Sequence, residues 1–215
     1  MKIPQETIRY FVKSCHEIGN RKLLRCSSGN VSFRVKKDYM LITSSRSWKG
    51  EICPSQLTLC RIHDNKIIWG NKPSVESMFH AGILKNRPEI NTVLHFQSPN
   101  ATVLACTQKK NINYFVIPEI PFYIGKIATI PFFIPGSKEL AEAVIKASMQ
   151  HNLIILRNHG QVTMAEDFQH VIQNADFFEL ACEIIVKNNF NPSVIPQKEV
   201  EYLLELGKQS KSKSV

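Results

Sequence analysis

Six cysteines are present, but no two of them form a CxxC pair. That leaves out the zinc-ribbon and disulfide-framework spacings that such pairs signal. Long apolar runs are missing too: no stretch approaches the roughly 18 apolar residues of a membrane helix. The opening residues, Met1-Lys2-Ile3-Pro4-Gln5-Glu6, lack the apolar core of a secretion signal. Glycine, serine and proline never gather into a linker, and no segment repeats. These absences leave one domain, expected in the cytoplasm with its thiols reduced.

The chain has 215 residues, enough to bury a core without metal or disulfide staples. Hydrophobic residues make up 43% and charged residues 21%, the balance of a soluble globular protein. The net charge is +9, and part of it lies in Lys208, Lys211 and Lys213 at the end. The basic body lacks aromatic-basic interleaving and a recognition-helix pattern, so a nucleic-acid partner is not expected. Anionic small molecules and plain solubility both remain open as reasons for the charge. Several cysteines, such as Cys106 in Val103-Leu104-Ala105-Cys106, sit in apolar runs and read as buried thiols.

Apolar spacing predicts a helix over residues 5–18, through Ile8, Phe11, Val12, Cys15 and Ile18. Val31–Val35 and Tyr39–Thr43 alternate as a hairpin, and Thr58–Ile62 and Lys66–Trp69 flank a turn at His63-Asp64-Asn65. Pro73-Ser74-Val75-Glu76 opens a helix, with Ser74 as its expected cap. Val93–Phe96 and Leu153–Leu156 are expected to be buried strands, and Val162–Met164 to return antiparallel to the second. Tyr114–Ile117 and Ala128–Phe132 are further expected strands. Helices are expected over Pro99–Cys106, from a Ser137 cap, over Phe168–Lys187 and over Val200–Leu206. The fold class is therefore α/β: a single domain over residues 1–207, with a mostly antiparallel sheet covered on both faces. Residues 208–215 are expected to be a disordered basic tail.

Polar residues stand out in apolar surroundings at four places: Glu76, His95, Gln97 and His159. His95 and Gln97 end a strand and share a face, because side chains alternate along extended chain. His159 follows the apolar run Leu153–Leu156 and precedes Gly160. Imidazoles at the ends of dry strands suggest a metal site, since a low dielectric strengthens the pull of a cation on its ligands. A glutamate in a first helical turn is ordinarily a dipole-compensating surface group. His80, one turn beyond Glu76, reads as a core histidine that could touch the same site.

Six segments in order resemble the class II aldolase/adducin family. They are Ser28-Gly29-Asn30-Val31-Ser32, Leu41-Ile42-Thr43-Ser44, Lys72-Pro73-Ser74-Val75-Glu76, Val93-Leu94-His95-Phe96-Gln97-Ser98-Pro99, Pro135-Gly136-Ser137-Lys138-Glu139-Leu140 and Asn158-His159-Gly160. The resemblance covers roughly residues 5–190. It implies a three-layer αβα fold, a homotetramer with sites between subunits, and one divalent ion, zinc first, held by three histidines. His95 and His159 match two of them; Gln97 stands at the third, where an amide oxygen is a poorer zinc donor than imidazole.

The resemblance also makes Glu76 the general base and an extra metal contact. It places substrate phosphate at Gly29, Asn30, Ser45 and Ser74, where Arg46 replaces a frequent glycine and could add a phosphate contact. It brings a proton donor from the neighbouring subunit, for which Tyr123 and Glu119 are the choices ahead of Tyr114. The implied reaction is cleavage of a ketose 1-phosphate, such as L-fuculose 1-phosphate or another deoxyketose phosphate, to dihydroxyacetone phosphate and an aldehyde. A sugar-phosphate dehydratase or epimerase, and a metal-free adducin-like binding protein, are the alternatives.

Overall fold

Eight strands form one sheet in this computed structural model, which describes residues 2–212. They are β1 (Asn30–Lys36), β2 (Tyr39–Thr43), β3 (Leu57–Arg61), β4 (Ile67–Gly70), β5 (Thr92–Phe96), β6 (Ile127–Ile130), β7 (Leu153–Leu156) and β8 (Gly160–Ala165). Their order across the sheet is β4-β3-β2-β1-β5-β8-β7-β6. Every neighbouring pair is antiparallel except β6 and β7. The helices are α1 (Gln5–Asn20), α2 (Ser77–Asn86), α3 (Pro99–Cys106), α4 (Lys138–Ser148), α5 (Phe168–Lys187) and α6 (Gln197–Ser212).

The central strands are apolar on both sides because both sides are covered. On one face Leu94, Phe96, Leu153 and Ile155 pack with Phe11 of α1, Leu104 of α3 and Phe178 of α5. On the other, Val93, Ile154, Val162 and Met164 pack with Phe79 and Ile83 of α2 and Val144 of α4. Val93 and Leu94 fall on opposite faces, as the two-residue period of a strand requires. This is the expected three-layer arrangement with a mostly antiparallel sheet.

Four expectations need correction. Tyr114–Ile117 is not a strand; it is irregular chain leading into a wide helical turn at Ile120–Ile124. All four residues are half-buried rather than alternately buried, so they pack without pairing. The helix after Pro73 begins only at Ser77. An isolated bridge from Ser44 to Pro73 and the bond from Ser74 N to Thr43 O hold residues 72–74 against the end of β2. The last helix spans Gln197–Ser212 and so runs through Lys208, where a disordered tail was expected. The remainder of that expected tail, residues 213–215, lies outside the described residues. Finally, Cys106 is exposed, as are Cys26 and Cys53, while Cys15, Cys60 and Cys182 are buried; all six are free.

No helix among the described residues is long and apolar enough to cross a membrane.

Candidate metal centre

Three elements meet at one end of the sheet. Asn30, the first residue of β1, lies opposite His95 in the β1–β5 register. Gly160 opens β8 opposite Leu156, so Arg157, Asn158 and His159 form the turn joining β7 to β8. Asn158 takes a left-handed conformation there (φ 54°), which asparagine tolerates better than most residues. The third element is the N-terminus of α2, which carries Glu76 just before its first turn.

Glu76 has φ −96° and ψ 8°, and its side chain does not cap the helix. Its carboxylate, 5% exposed, instead faces the two imidazoles. Nε2 of His95 lies 3.5 Å from Oε2, and Nε2 of His159 lies 3.4 Å from Oε1. The ligand atoms of Glu76, His95 and His159 all lie within 4.8 Å of one another. The two imidazole rings meet edge to face at 4.8 Å.

The protonation of this cluster follows from its partners. His95 Nδ1 sits 2.9 Å from the carbonyl of Gln161. A carbonyl only accepts, so Nδ1 carries a proton and Nε2 is the ring nitrogen left to face the cluster. Burial lowers the His159 pKa and the nearby His95 pushes the same way, against the opposing pull of the Glu76 carboxylate. Glu76 Oε1 is buried with no hydrogen-bond partner among the described residues.

This donor set fits a divalent cation. Two ligands about 2.0–2.2 Å from a tetrahedral zinc ion stand about 3.4 Å apart, close to the spacing of the carboxylate oxygens from the two nitrogens. The orphaned Oε1 would gain a partner. Gly160 lines the same space: a Cβ there would come 2.7 Å from Gln97 Cγ, 3.1 Å from His95 Cε1 and 2.6 Å from the Phe96 carbonyl oxygen. Gln97 Cγ and the His95 ring therefore border the same glycine. Gln97→His is expected to tighten zinc binding by at least the roughly 10–100-fold that a supporting partner of a metal ligand is worth. Competition with a chromophoric chelator measures this, and an unchanged dissociation constant would show that residue 97 takes no part.

The other expected site residues divide into two groups. Gly29 packs against the His95 carbonyl, and Ser45 and Ser74 lie on loops bonded to each other through Ser45 N to Lys72 O (2.9 Å) and Ser74 N to Thr43 O (3.1 Å). Ser74 Oγ accepts from the Glu76 amide at 3.3 Å. Arg46 is exposed and left-handed (φ 62°), and it lines a surface hollow with Trp48, Glu51 and Gln56. Tyr123 and Glu119 do not join the cluster. Tyr123 lines a cavity with Arg87, Glu89, Met164 and Ala165. Met164 and Ala165 pair with Val93 and Thr92, at the opposite end of β5 and β8 from His95. Glu119 immediately precedes the turn that carries Tyr123.

Asn30 is engaged more fully than a phosphate-loop residue need be. Its Nδ2 donates to Glu76 Oε2 at 2.8 Å, and its Oδ1 lies 2.5 Å from Nε2 of His80. His80 Nδ1 in turn lies 2.7 Å from Ser32 Oγ. Only one polarity satisfies this chain: Ser32 donates to His80, His80 to Asn30, and Asn30 to the carboxylate. Burial keeps the His80 imidazole neutral, its pKa well below the ordinary value. His80 thus reaches the site through Asn30. The part of Ser32 was missed, although the i, i+2 spacing of Asn30 and Ser32 on β1 puts both on one face.

The chain belongs to the class II aldolase and adducin family, whose N-terminal domain pattern matches residues 9–186. It is 32% identical over 180 residues to an L-fuculose phosphate aldolase of Methanococcus maripaludis, covering 83% of this chain and 96% of that protein. It is 30% identical over 155 residues to a 3-oxo-tetronate 4-phosphate decarboxylase of Haemophilus influenzae, covering 71% and 73%. The solved structure of an L-fuculose 1-phosphate aldolase superposes with a TM-score of 0.83 at 25% identity, over 95% of this chain and 97% of that one.

Proposed function

We propose that the protein is a metal-dependent lyase that breaks a carbon–carbon bond in a phosphorylated ketose. The leading reaction is cleavage of a ketose 1-phosphate, L-fuculose 1-phosphate or a similar deoxyketose phosphate, to dihydroxyacetone phosphate and an aldehyde. The observation that carries this reading is the Glu76–His95–His159 cluster with its unpartnered Oε1. A divalent ion held there, zinc first by donor type, would supply Lewis-acid polarisation of the substrate carbonyl. His95 and His159 are its holders, with Gln97 beside them.

The residues do the rest. Glu76 moves the proton to and from the carbon that is left with an electron pair as the bond breaks. Gly29, Asn30, Ser45 and Ser74 offer small donors from three loops to the phosphate and hold the reacting carbon in line. Tyr123 and Glu119, far from the cluster of their own chain, would serve a neighbouring subunit in a homotetramer and protonate the leaving side. The similarity to a 3-oxo-tetronate 4-phosphate decarboxylase supports a second reading, loss of carbon dioxide from a phosphorylated 3-oxo acid. Both reactions leave an electron pair beside a carbonyl, so both ask the same of Glu76 and the imidazoles.

The test strips the protein with a chelator and reloads it with zinc, manganese or cobalt. Release of dihydroxyacetone phosphate is then followed across a panel of ketose 1-phosphates, and carbon dioxide from 3-oxo-tetronate 4-phosphate. Turnover of one substrate that is abolished by chelation and restored by metal is the expected result. Equal activity in the stripped and loaded protein, or no turnover of any of them with metal bound at stoichiometry, would end the lyase reading.

A further inference from the structure

Lys49 is the buried charge that the cluster does not use. It is 2% exposed, yet among the described residues no carboxylate pairs with it. Its Nζ donates instead to two backbone carbonyls, Ser27 O and Ser47 O, each at 2.8 Å. Those carbonyls belong to different loops. Ser27 stands two residues before Gly29, and Ser47 two residues after Ser45. One ammonium therefore ties together the two loops that carry most of the small donors of the site.

The segment that carries Lys49 is itself anchored. Lys49–Glu51 is a short 3₁₀ turn. Gly19 of α1 packs directly on Gly50, and His16 Nε2 bonds the Ile52 carbonyl at 2.8 Å. The side chain thus rises from a stiff base. An ammonium buried without an anionic partner is costly, and a hydrophobic residue of similar size would serve packing as well or better. Burial lowers its pKa to about 8, while Cys15 and Glu76 act in the opposite sense. The structure therefore keeps a buried positive charge with no carboxylate in contact, at a cost, directly behind the Gly29 and Ser45 loops.

We propose that Lys49 is a positioning residue for a phosphorylated ligand: it sets the spacing of the Ser27–Asn30 and Ser44–Ser47 loops and gives them a fixed positive charge that favours a phosphate dianion. It acts through the loops and not by contact with the phosphate. This inference rests on the phosphate-site reading given above.

Inorganic phosphate is the probe. Its dissociation constant is measured by calorimetry on metal-loaded wild-type protein and on K49M, K49R and K49Q. K49M is expected to bind metal at wild-type stoichiometry and to weaken phosphate by about tenfold, the worth of one charge a loop's width away in a partly buried site. K49R, which keeps the charge and both carbonyl bonds within reach, is expected to recover most of the loss. Should K49M not fold, K49Q makes the same comparison, since it keeps a donor and loses the charge. With an active substrate in hand, the defect is expected in KM and not in kcat.

Wild-type phosphate affinity in K49M, or in K49Q where K49M fails to fold, would overturn the proposal. So would a K49R protein as weak as K49M, because a mere packing role predicts no rescue by charge. Wild-type protein that binds no phosphate would overturn the phosphate-site reading itself, and Lys49 with it. The two failures are thus separable.

Discussion

Glu76→Gln is expected to lower turnover by about 10²–10⁴-fold, the usual worth of a positioned general base, while the protein keeps its fold. The substitution is nearly isosteric, and the geometry dictates how the amide settles. Asn30 donates to Oε2, so the amide oxygen must take that place. The amide nitrogen then faces Nε2 of His159, now 3.4 Å from Oε1. It would donate to the lone pair that the ring otherwise offers a cation. Metal affinity is therefore expected to fall together with proton transfer, and the assay must be run at saturating metal. A circular-dichroism melt within a few degrees of wild type, metal content by mass spectrometry and kcat at saturating metal together decide the matter. Near-normal kcat would remove Glu76 from the proton path.

Much of the sheet is legible in the sequence because its signals are local. Alternation along Val31–Val35 and Tyr39–Thr43 and the turn at His63-Asp64-Asn65 required only nearest-strand pairing. Sequence and structure part where burial imitates pairing. Tyr114–Ile117 has the apolar content of a strand, but these residues fill gaps against α5, as Tyr114 does on Phe178. Pro118 and Pro121 follow and supply no backbone donor for a ladder. In the sequence, the lysines from Lys208 onward read as the end of the last helix. It continues because Lys208 pairs with Glu205 and Gln209 bonds the same carboxylate, and because Gly207 packs against the Phe122 carbonyl.

The candidate site was legible only in part. No spacing rule links residues 76, 95 and 159; their convergence followed from the resemblance of six short segments, and the fold brings those three side chains together. Alternation predicts that Gln97 shares the His95 side of the chain, and its Cγ borders Gly160 as the His95 ring does. Lys49 gave no signal at all, since a lysine in a polar loop reads as solvated until the fold buries it. Ser74 reads as the helix cap in the sequence because its spacing from the apolar run fits one. The bridge between Ser44 and Pro73 outweighed that local preference and left Glu76, not Ser74, at the helix entrance.

His80→Leu is expected to be the most destabilising of the changes considered, although it keeps the volume and lies outside the ligand set. His80 is fully buried, and it is the partner of both Ser32 Oγ and Asn30 Oδ1. Leucine satisfies neither. Each buried polar atom left alone costs about 1–3 kcal/mol, so the expected loss is about 2–6 kcal/mol. For a domain of this size that corresponds to a fall in Tm of roughly 2–4 °C per kcal/mol. His80→Gln can donate to Asn30 and accept from Ser32 with the same polarity, and is expected to recover part of the loss. Adding Ser32→Ala to His80→Leu removes one of the orphans and should cost less than it does alone, a coupling that a double-mutant cycle measures. The second effect reaches the metal. Without His80, Asn30 Oδ1 loses its donor, and only the bond from Nδ2 to Glu76 still orients the amide that braces the carboxylate. Zinc affinity is then expected to fall by about 10–100-fold, as for other partners of metal ligands. A wild-type melt with unchanged zinc affinity would show that the chain from Ser32 to Glu76 is incidental to the site.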